Sequence, residues 1–166
     1  MSIHRFGSIE RFGFDIDVEP DDETRGHAFL SVWAGGIRLG ATDRVEQLGT
    51  MLHALGRFLD ALPPAPPEFA GRSAADVFEE VLSVLLDPQP DRPDYPWERA
   101  NLYQRLQLLP NGCSSFDGEW AILLCETTHD RLIVRRYPEA QVHEVLIDAG
   151  EVAMVAGAVL RHPWQR

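Results

Sequence analysis

Residues 12–18 read FGFDIDV, with Phe12, Phe14, Ile16 and Val18 on one side of an extended chain and Gly13, Asp15 and Asp17 on the other. Strict alternation predicts a half-buried strand with one wet face. The polar run Pro20-Asp21-Asp22-Glu23 breaks it. Residues 27–34, HAFLSVWA, predict a second strand. Gly35-Gly36 joins it to Ile37-Arg38-Leu39, a two-residue hairpin signal, because glycine accepts the positive φ of the primed turns. On this reading the chain opens with three antiparallel strands. Trp33 falls in step with Phe29 and Ser31, opposite Leu30 and Val32, and reads either as an exposed anchor or as a packed second-face residue, the packed position being expected.

The period then changes. Val45, Leu48, Met51, Leu52, Leu55, Phe58, Leu59 and Leu62 recur at three- and four-residue steps, which predicts an amphipathic helix. Thr42 or Asp43 is the expected cap, and Asp43 with Glu46 has capping-box spacing. The proline-rich run 63–67 ends it. Ser73, with Asp76 three residues on, predicts a second helix carrying Val77, Phe78, Val81, Leu82, Leu85 and Leu86 inward. Residues 87–96 contain four prolines and three aspartates and read as a long surface loop. Residues 97–109 fit a helix at their start and extended chain at their end. Residues 119–126 (EWAILLCE) and 131–137 (RLIVRRY) predict two strands around a short turn. The first is apolar on both faces, which predicts a central place in a sheet. Residues 142–147 predict a third strand. Asp148 and Glu151 then have capping-box spacing ahead of a helix bearing Val152, Val155, Ala156, Val159 and Leu160, stopped by Pro163.

This order, βββ-αα-ββ(β)-α, is an α+β plan. Short hairpins demand antiparallel pairing, so a mostly antiparallel sheet of about five to six strands is expected, with three or more helices packed on one face. The 166 residues are predicted to form one domain, a length that buries roughly 70% of the unfolded surface without staples. No apolar run approaches the roughly 20 residues of a membrane span, and the start of the chain has no secretory-signal pattern. Cys113 and Cys125 lack C-x-x-C spacing, and two reduced thiols suit a cytoplasmic protein.

Charge narrows the functional classes. All 15 basic residues are arginine, against 26 acids, for a net of −11. Residues 1–26 hold seven acids and three arginines, a net of −4; residues 60–98 hold nine acids and two arginines, a net of −7. The remaining residues are neutral. Nucleic-acid binding needs a cationic face to displace counterions, so neither nucleic acid nor membrane is an expected partner. The two acidic regions suit a basic protein partner.

Candidate chemistry is sparse. The six histidines include no pair at metal-ligand spacing, and His143-Glu144 lacks the second histidine of H-E-x-x-H. His53, near the apolar stripe of its helix, is expected to be structural. Cys113 follows Gly112 in a loop but has Phe116 where a nucleophile elbow needs glycine. Asp15 and Asp17 share one strand face and are the other candidate pair. A small enzyme using Cys113 or an Asp15/Asp17 site is therefore one alternative, and a general interaction module another. No cofactor, metal or catalytic set is expected, and the oligomeric state stays open.

Several stretches together resemble a known family. FLSVWAGGIRLG followed by the first helix is similar to the strand-W-x-x-G-x-x-x-G-helix opening of a bacterial immunity-protein family, number forty-two of the series that protects cells from polymorphic toxins. RFGFDIDVEP resembles its first strand and SAADVFEEVLSVLLD its second helix. SFDGEWAILLCETTHDRLIVRR, with Asp117 and Trp120, and then VHEVLIDAGEVAMVAGAVL resemble its C-terminal half. The proline-rich segments 63–67 and 87–96 depart from that pattern. The resemblance implies a non-enzymatic protein that binds and blocks a cognate toxin. The expected contact residues are the acids around the first strand and its turn (Asp15, Asp17, Glu19, Asp21, Asp22 and Glu23) or the loop acids Asp87, Asp91 and Asp94.

Overall fold

A computed structural model describes residues 2–18, 26–87, 89–109 and 113–164, and of Ser2 the backbone only. Two antiparallel sheets and four α-helices make up the described chain. The first sheet runs β1 (Ser2–Gly7), β2 (Phe12–Val18), β3 (His27–Ala34), β4 (Ile37–Leu39), with the short β5 (Glu46–Gln47) also paired to β3. The second is β6 (Trp120–Cys125), β7 (His129–Arg135) and β8 (His143–Asp148), with β7 in the middle. The helices are α1 (Leu48–Ala61), α2 (Ala74–Leu85), α3 (Trp97–Arg105) and α4 (Glu151–Arg161).

Alternation sorts the first sheet as expected. Phe12, Phe14, Ile16, Leu30 and Val32 are buried, while Asp15, Asp17, Phe29 and Trp33 stand on the other face. Gly35 and Gly36 take φ of +56° and +81°, the conformation the two-residue turn requires. The sheet's inner face meets α1, α4 and one face of the second sheet, so that Met51, Leu55, Leu123, Leu132, Val152 and Val155 share one core. The opposite face of the second sheet (Ile122, Leu124, Ile133) packs on Val77, Phe78 and Val81 of α2 and Tyr103 of α3, forming a second core.

The single covered sheet expected from sequence is thus replaced by two sheets. The physical reason lies in β6 and β7, which are apolar on both faces. Such strands need cover on both sides, and two cores supply it. β6 is accordingly not central in the hydrogen-bond order. Its outer edge is closed instead by loop backbone. Leu108 N–H donates to Ala121 O (2.8 Å), Leu123 N–H to Leu106 O (2.8 Å) and Ala65 N–H to Cys125 O (2.9 Å), which satisfies groups that would otherwise be buried unpaired. The ambiguous segment 97–109 resolves into α3 followed by this edge-covering stretch.

Local expectations fare unevenly. Ser73 caps α2, its hydroxyl accepting from Asp76 N–H (3.2 Å) and donating to Asp76 Oδ2 (2.7 Å). The other two capping boxes do not form. α1 starts only at Leu48, because Glu46 pairs in β5 and its carboxylate accepts from Ser115 N–H (2.7 Å) and Ser114 Oγ (3.0 Å). Val45, counted into the helical stripe, is exposed outside it. At α4 the cap is Gly150, whose N–H donates to Asp130 Oδ2 (2.8 Å), while Asp148 and Glu151 both turn to Arg11. His53 is exposed on α1 rather than structural. β1 was not anticipated. Its inward positions include His4, whose ring packs edge-on against His162 at 4.7 Å, a polar residue that hides the alternation.

Candidate functional site

The expected contact acids fall into two places. On the outer face of the first sheet, Asp15 lies opposite Arg5 on β1 and Ser31 on β3. Arg5 donates to it bidentately (Nε–Oδ1 2.7 Å, Nη2–Oδ2 2.8 Å), and Trp33 Nε1 donates to Oδ2 at 3.0 Å. Hydrogen bonding from Arg5 holds the Asp15 carboxyl below the usual carboxylate range, against the upward pull of partial burial, with Trp33 assisting. Its charge is therefore already matched within the protein. Trp33 is half-buried on this polar face, with the Arg38 guanidinium 5.8 Å from its ring centroid. Asp17 Oδ1 is buried and has no hydrogen-bond partner among the described residues. Glu19, Asp21, Asp22 and Glu23 lie outside the described residues.

The second place is the connection from α2 to α3. Arg92 bridges Asp87 (3.1 Å) and Asp94 (3.3 Å), and Asp87 Oδ1 accepts from Gln89 N–H (2.7 Å). Asp91 and Asp94 point into solvent. Tyr95 ties the loop down by donating its hydroxyl to Val84 O (2.9 Å), and its ring meets Trp97 edge-on at 4.6 Å. Trp97 is 57% exposed and Leu86 61% exposed. The first turn of α3 adds exposed Glu98, beside exposed Arg99. Residues 87–99 thus hold four acids and two arginines, with two large apolar side chains, Leu86 and Trp97, standing out at this end.

Sequence reasoning placed Leu86 inward, and the structure reverses this. Nine residues at about 100° each put it half a turn from Val77, and it sits at the C-cap, where the helical path ends. Val84 takes the inward position instead. The hydrophobic pattern by itself does not mark Trp97 as exposed. The available signal was its place in the first turn of a helix, directly after a polar proline-rich loop.

The residues considered for chemistry do not assemble. Cys113 is buried at 6% exposure, and burial, with Glu46 adding to it, pushes its thiol up to about 11. That disfavours the thiolate a nucleophile requires. Cys125 is likewise pushed up to about 11, mainly by burial. Beside Cys113 lies a cleft of about 790 Å³ lined by Arg38, Arg44, Asp117, Glu119 and Arg136 among others. Arg44 pairs there with Asp117 (2.6 Å), and Glu119, its carboxyl raised by burial, accepts from Gly40 N–H. Among the described residues no three His, Cys, Asp or Glu side chains are grouped to hold a metal ion.

The family model described as Immunity protein 42 matches residues 1–162. The chain belongs to the Immunity protein 42 family. An immunity protein neutralises a cognate toxin, and this is the function of the chain. Among solved structures the chain is similar to the CdiI of Burkholderia dolosa AUO158. The TM-score is 0.71 and the identity 18%, over 95% of this chain and 98% of that one, so the likeness is one of fold. No curated protein matches the chain. In this immunity protein the residues that carry the family resemblance serve the scaffold. Trp33 buttresses Asp15, Gly36 makes the hairpin, and Trp120 packs edge-on against Phe78 at 6.3 Å. Asp117 pairs with Arg44. Gly40, at φ +105°, brings its backbone so close to Leu30 O that a Cβ would stand 2.5 Å away. Among the described residues no helix is long and apolar enough to cross a membrane.

Proposed function

We propose that this immunity protein blocks its toxin by stoichiometric, non-catalytic binding through the α2–α3 end, as one cytoplasmic domain spanning residues 1–166. Asp91 and Asp94 supply the electrostatic attraction, with Asp87 holding the loop, and Trp97 and Leu86 supply the apolar anchors. The observation that carries the reading is the exposure of Trp97 and Leu86 within an acidic surround. Large apolar groups ringed by charge resemble the centre and rim of a protein–protein contact. The matching toxin surface is basic, with an apolar pocket. The first-strand acids contribute less to this reading, because Arg5 already consumes the charge of Asp15.

The test is a titration. The cognate toxin domain is assayed for activity with increasing immunity protein, and the two genes are co-expressed in a toxicity assay. Inhibition complete at one equivalent, with rescue in cells, is the expected outcome. Protection by a small fraction of an equivalent indicates turnover and overturns the binding mode.

A further inference from the structure

A groove of about 620 Å³ runs between α1 and α3. One wall is a face of α1 bearing Thr50, His53 and Arg57; the other is the α3 face bearing Asn101, Gln104 and Arg105. The spacing of 50, 53 and 57, and of 101, 104 and 105, is that of residues on one helical face. Phe58, Leu108 and Leu109, all largely buried, form its floor. Its lining contains no carboxylate, in a chain with 26 acids and a net charge of −11. Arg57 and Arg105 make no ion pair among the described residues, as is also true of Arg38, Arg72, Arg135 and Arg161, whereas Arg5, Arg11, Arg44, Arg92, Arg99, Arg131 and Arg136 each pair with a carboxylate. Two unmatched guanidiniums therefore converge on one concave site with an apolar base and amide side chains.

We infer that this groove receives a carboxylate-bearing segment of the toxin, which docks with its acids against Arg57 and Arg105. The inference rests on the proposed stoichiometric binding of a toxin and adds a second contact to the α2–α3 end. Guanidinium forks match carboxylates bidentately. Asn101, Gln104 and Gln107 can bond the peptide groups of a bound segment, and the floor accommodates its apolar side chains. Nucleic acid fits worse. A polyphosphate chain needs many cations, and here two stand on a strongly negative protein. The exposed positions Trp97, Asn101 and Gln104 follow one another along α3 at helical spacing, so one stripe joins the acidic loop to the cationic groove. The toxin thus meets negative charge at the N-terminal end of α3 and positive charge at its C-terminal end. Opposite signs at the two ends fix its orientation, since reversed docking would set like charges together.

The experiment uses the full chain and the cognate toxin domain. Arg57→Glu and Arg105→Glu, singly and together, are compared with Asp91→Lys/Asp94→Lys in binding and toxicity rescue, with melting temperature as the folding control. The double arginine reversal is expected to weaken binding roughly tenfold or more at unchanged melting temperature, and Arg→Lys replacements to retain most of it. Normal binding by the arginine reversals overturns the inference, whatever the loop variants do. If the loop reversals alone are silent while the arginine reversals weaken binding, the groove stands and the α2–α3 reading falls. A fluorescent Asp/Glu-rich peptide and an oligonucleotide of equal length separate the two ligand classes. Competition by toxin against the bound peptide supports the inference; tighter, Arg57-dependent binding of the oligonucleotide overturns it.

Discussion

Trp97→Ala divides one side chain between folding and binding. A tryptophan carries up to about 250 Å² of buriable surface, and at 57% exposure about 140 Å² remains for a partner to cover. At about 25 cal/mol per Å² that is about 3.5 kcal/mol as an upper bound, less what the alanine Cβ retains and the cost of immobilising the ring. A net loss of about 2–3 kcal/mol is expected, in the range of an interface hot spot, which weakens binding about 30- to 150-fold. Most of this should appear in the dissociation rate. The remaining, already covered part of the ring lies against Tyr95. Its loss costs the fold about 1–2 kcal/mol, a fall in melting temperature of about 2–8 °C at this chain length. The assay is surface plasmon resonance against the toxin domain, beside calorimetric melting of the free protein. Trp97→Phe should recover most of the stability and part of the affinity. A dissociation rate within threefold of wild type for Trp97→Ala, with the stability loss present, would refute the reasoning and remove the α2–α3 end from the interface.

Three further outcomes are expected. Asp91→Lys/Asp94→Lys should slow association about tenfold at low salt and flatten its salt dependence, while melting stays nearly constant because exposed ion pairs are worth about 0–1 kcal/mol; stopped-flow rates unchanged at both salt concentrations would mean these acids only solubilise. Arg131 is buried and joins Glu144 to Phe69 O (3.4 Å) and Arg72 O (2.8 Å), so Arg131→Met should cost about 2–4 kcal/mol in urea unfolding, and a loss below about 0.5 kcal/mol would show that the bridge between β7 and the start of α2 is dispensable. Because the folded pKa of Asp15 is depressed, its stabilising contribution is full above the unfolded carboxylate value of about 3.9 and is lost as pH falls through the lower folded value; the stability gap between wild type and Asp15→Asn should be constant at neutral pH and close in acid, and a gap that widens below pH 4 contradicts the Arg5–Asp15 account.

Much of the secondary structure was legible in local pattern. The bounds of β2, β3 and β4 follow from period-two alternation and a Gly-Gly turn. The body of α1 and the Ser73 cap of α2 follow from helical spacing and an N-terminal hydroxyl. These signals survive because each depends on residues a few positions apart. The family was also legible, through the order of its motifs along the chain. The assembly of the sheets was not. Alternation tells which residues of β6 are apolar, not that they face two separate cores, and it cannot place β6 at an edge closed by Leu106 and Leu108. Side-chain charge was legible as a count but not as an available surface. Asp15 reads as a wet-face acid until β1 brings Arg5 beside it, and Glu46 reads as a cap until it meets the backbone of residue 115. Likewise Leu86 and Trp97 emerge as exposed, and Arg57 and Arg105 as unmatched, only once every neighbour has been packed. A short-range code determines which elements form. Which faces, charges and apolar groups are left over for a partner depends on long-range contacts, because a residue is free only when nothing distant in sequence has claimed it.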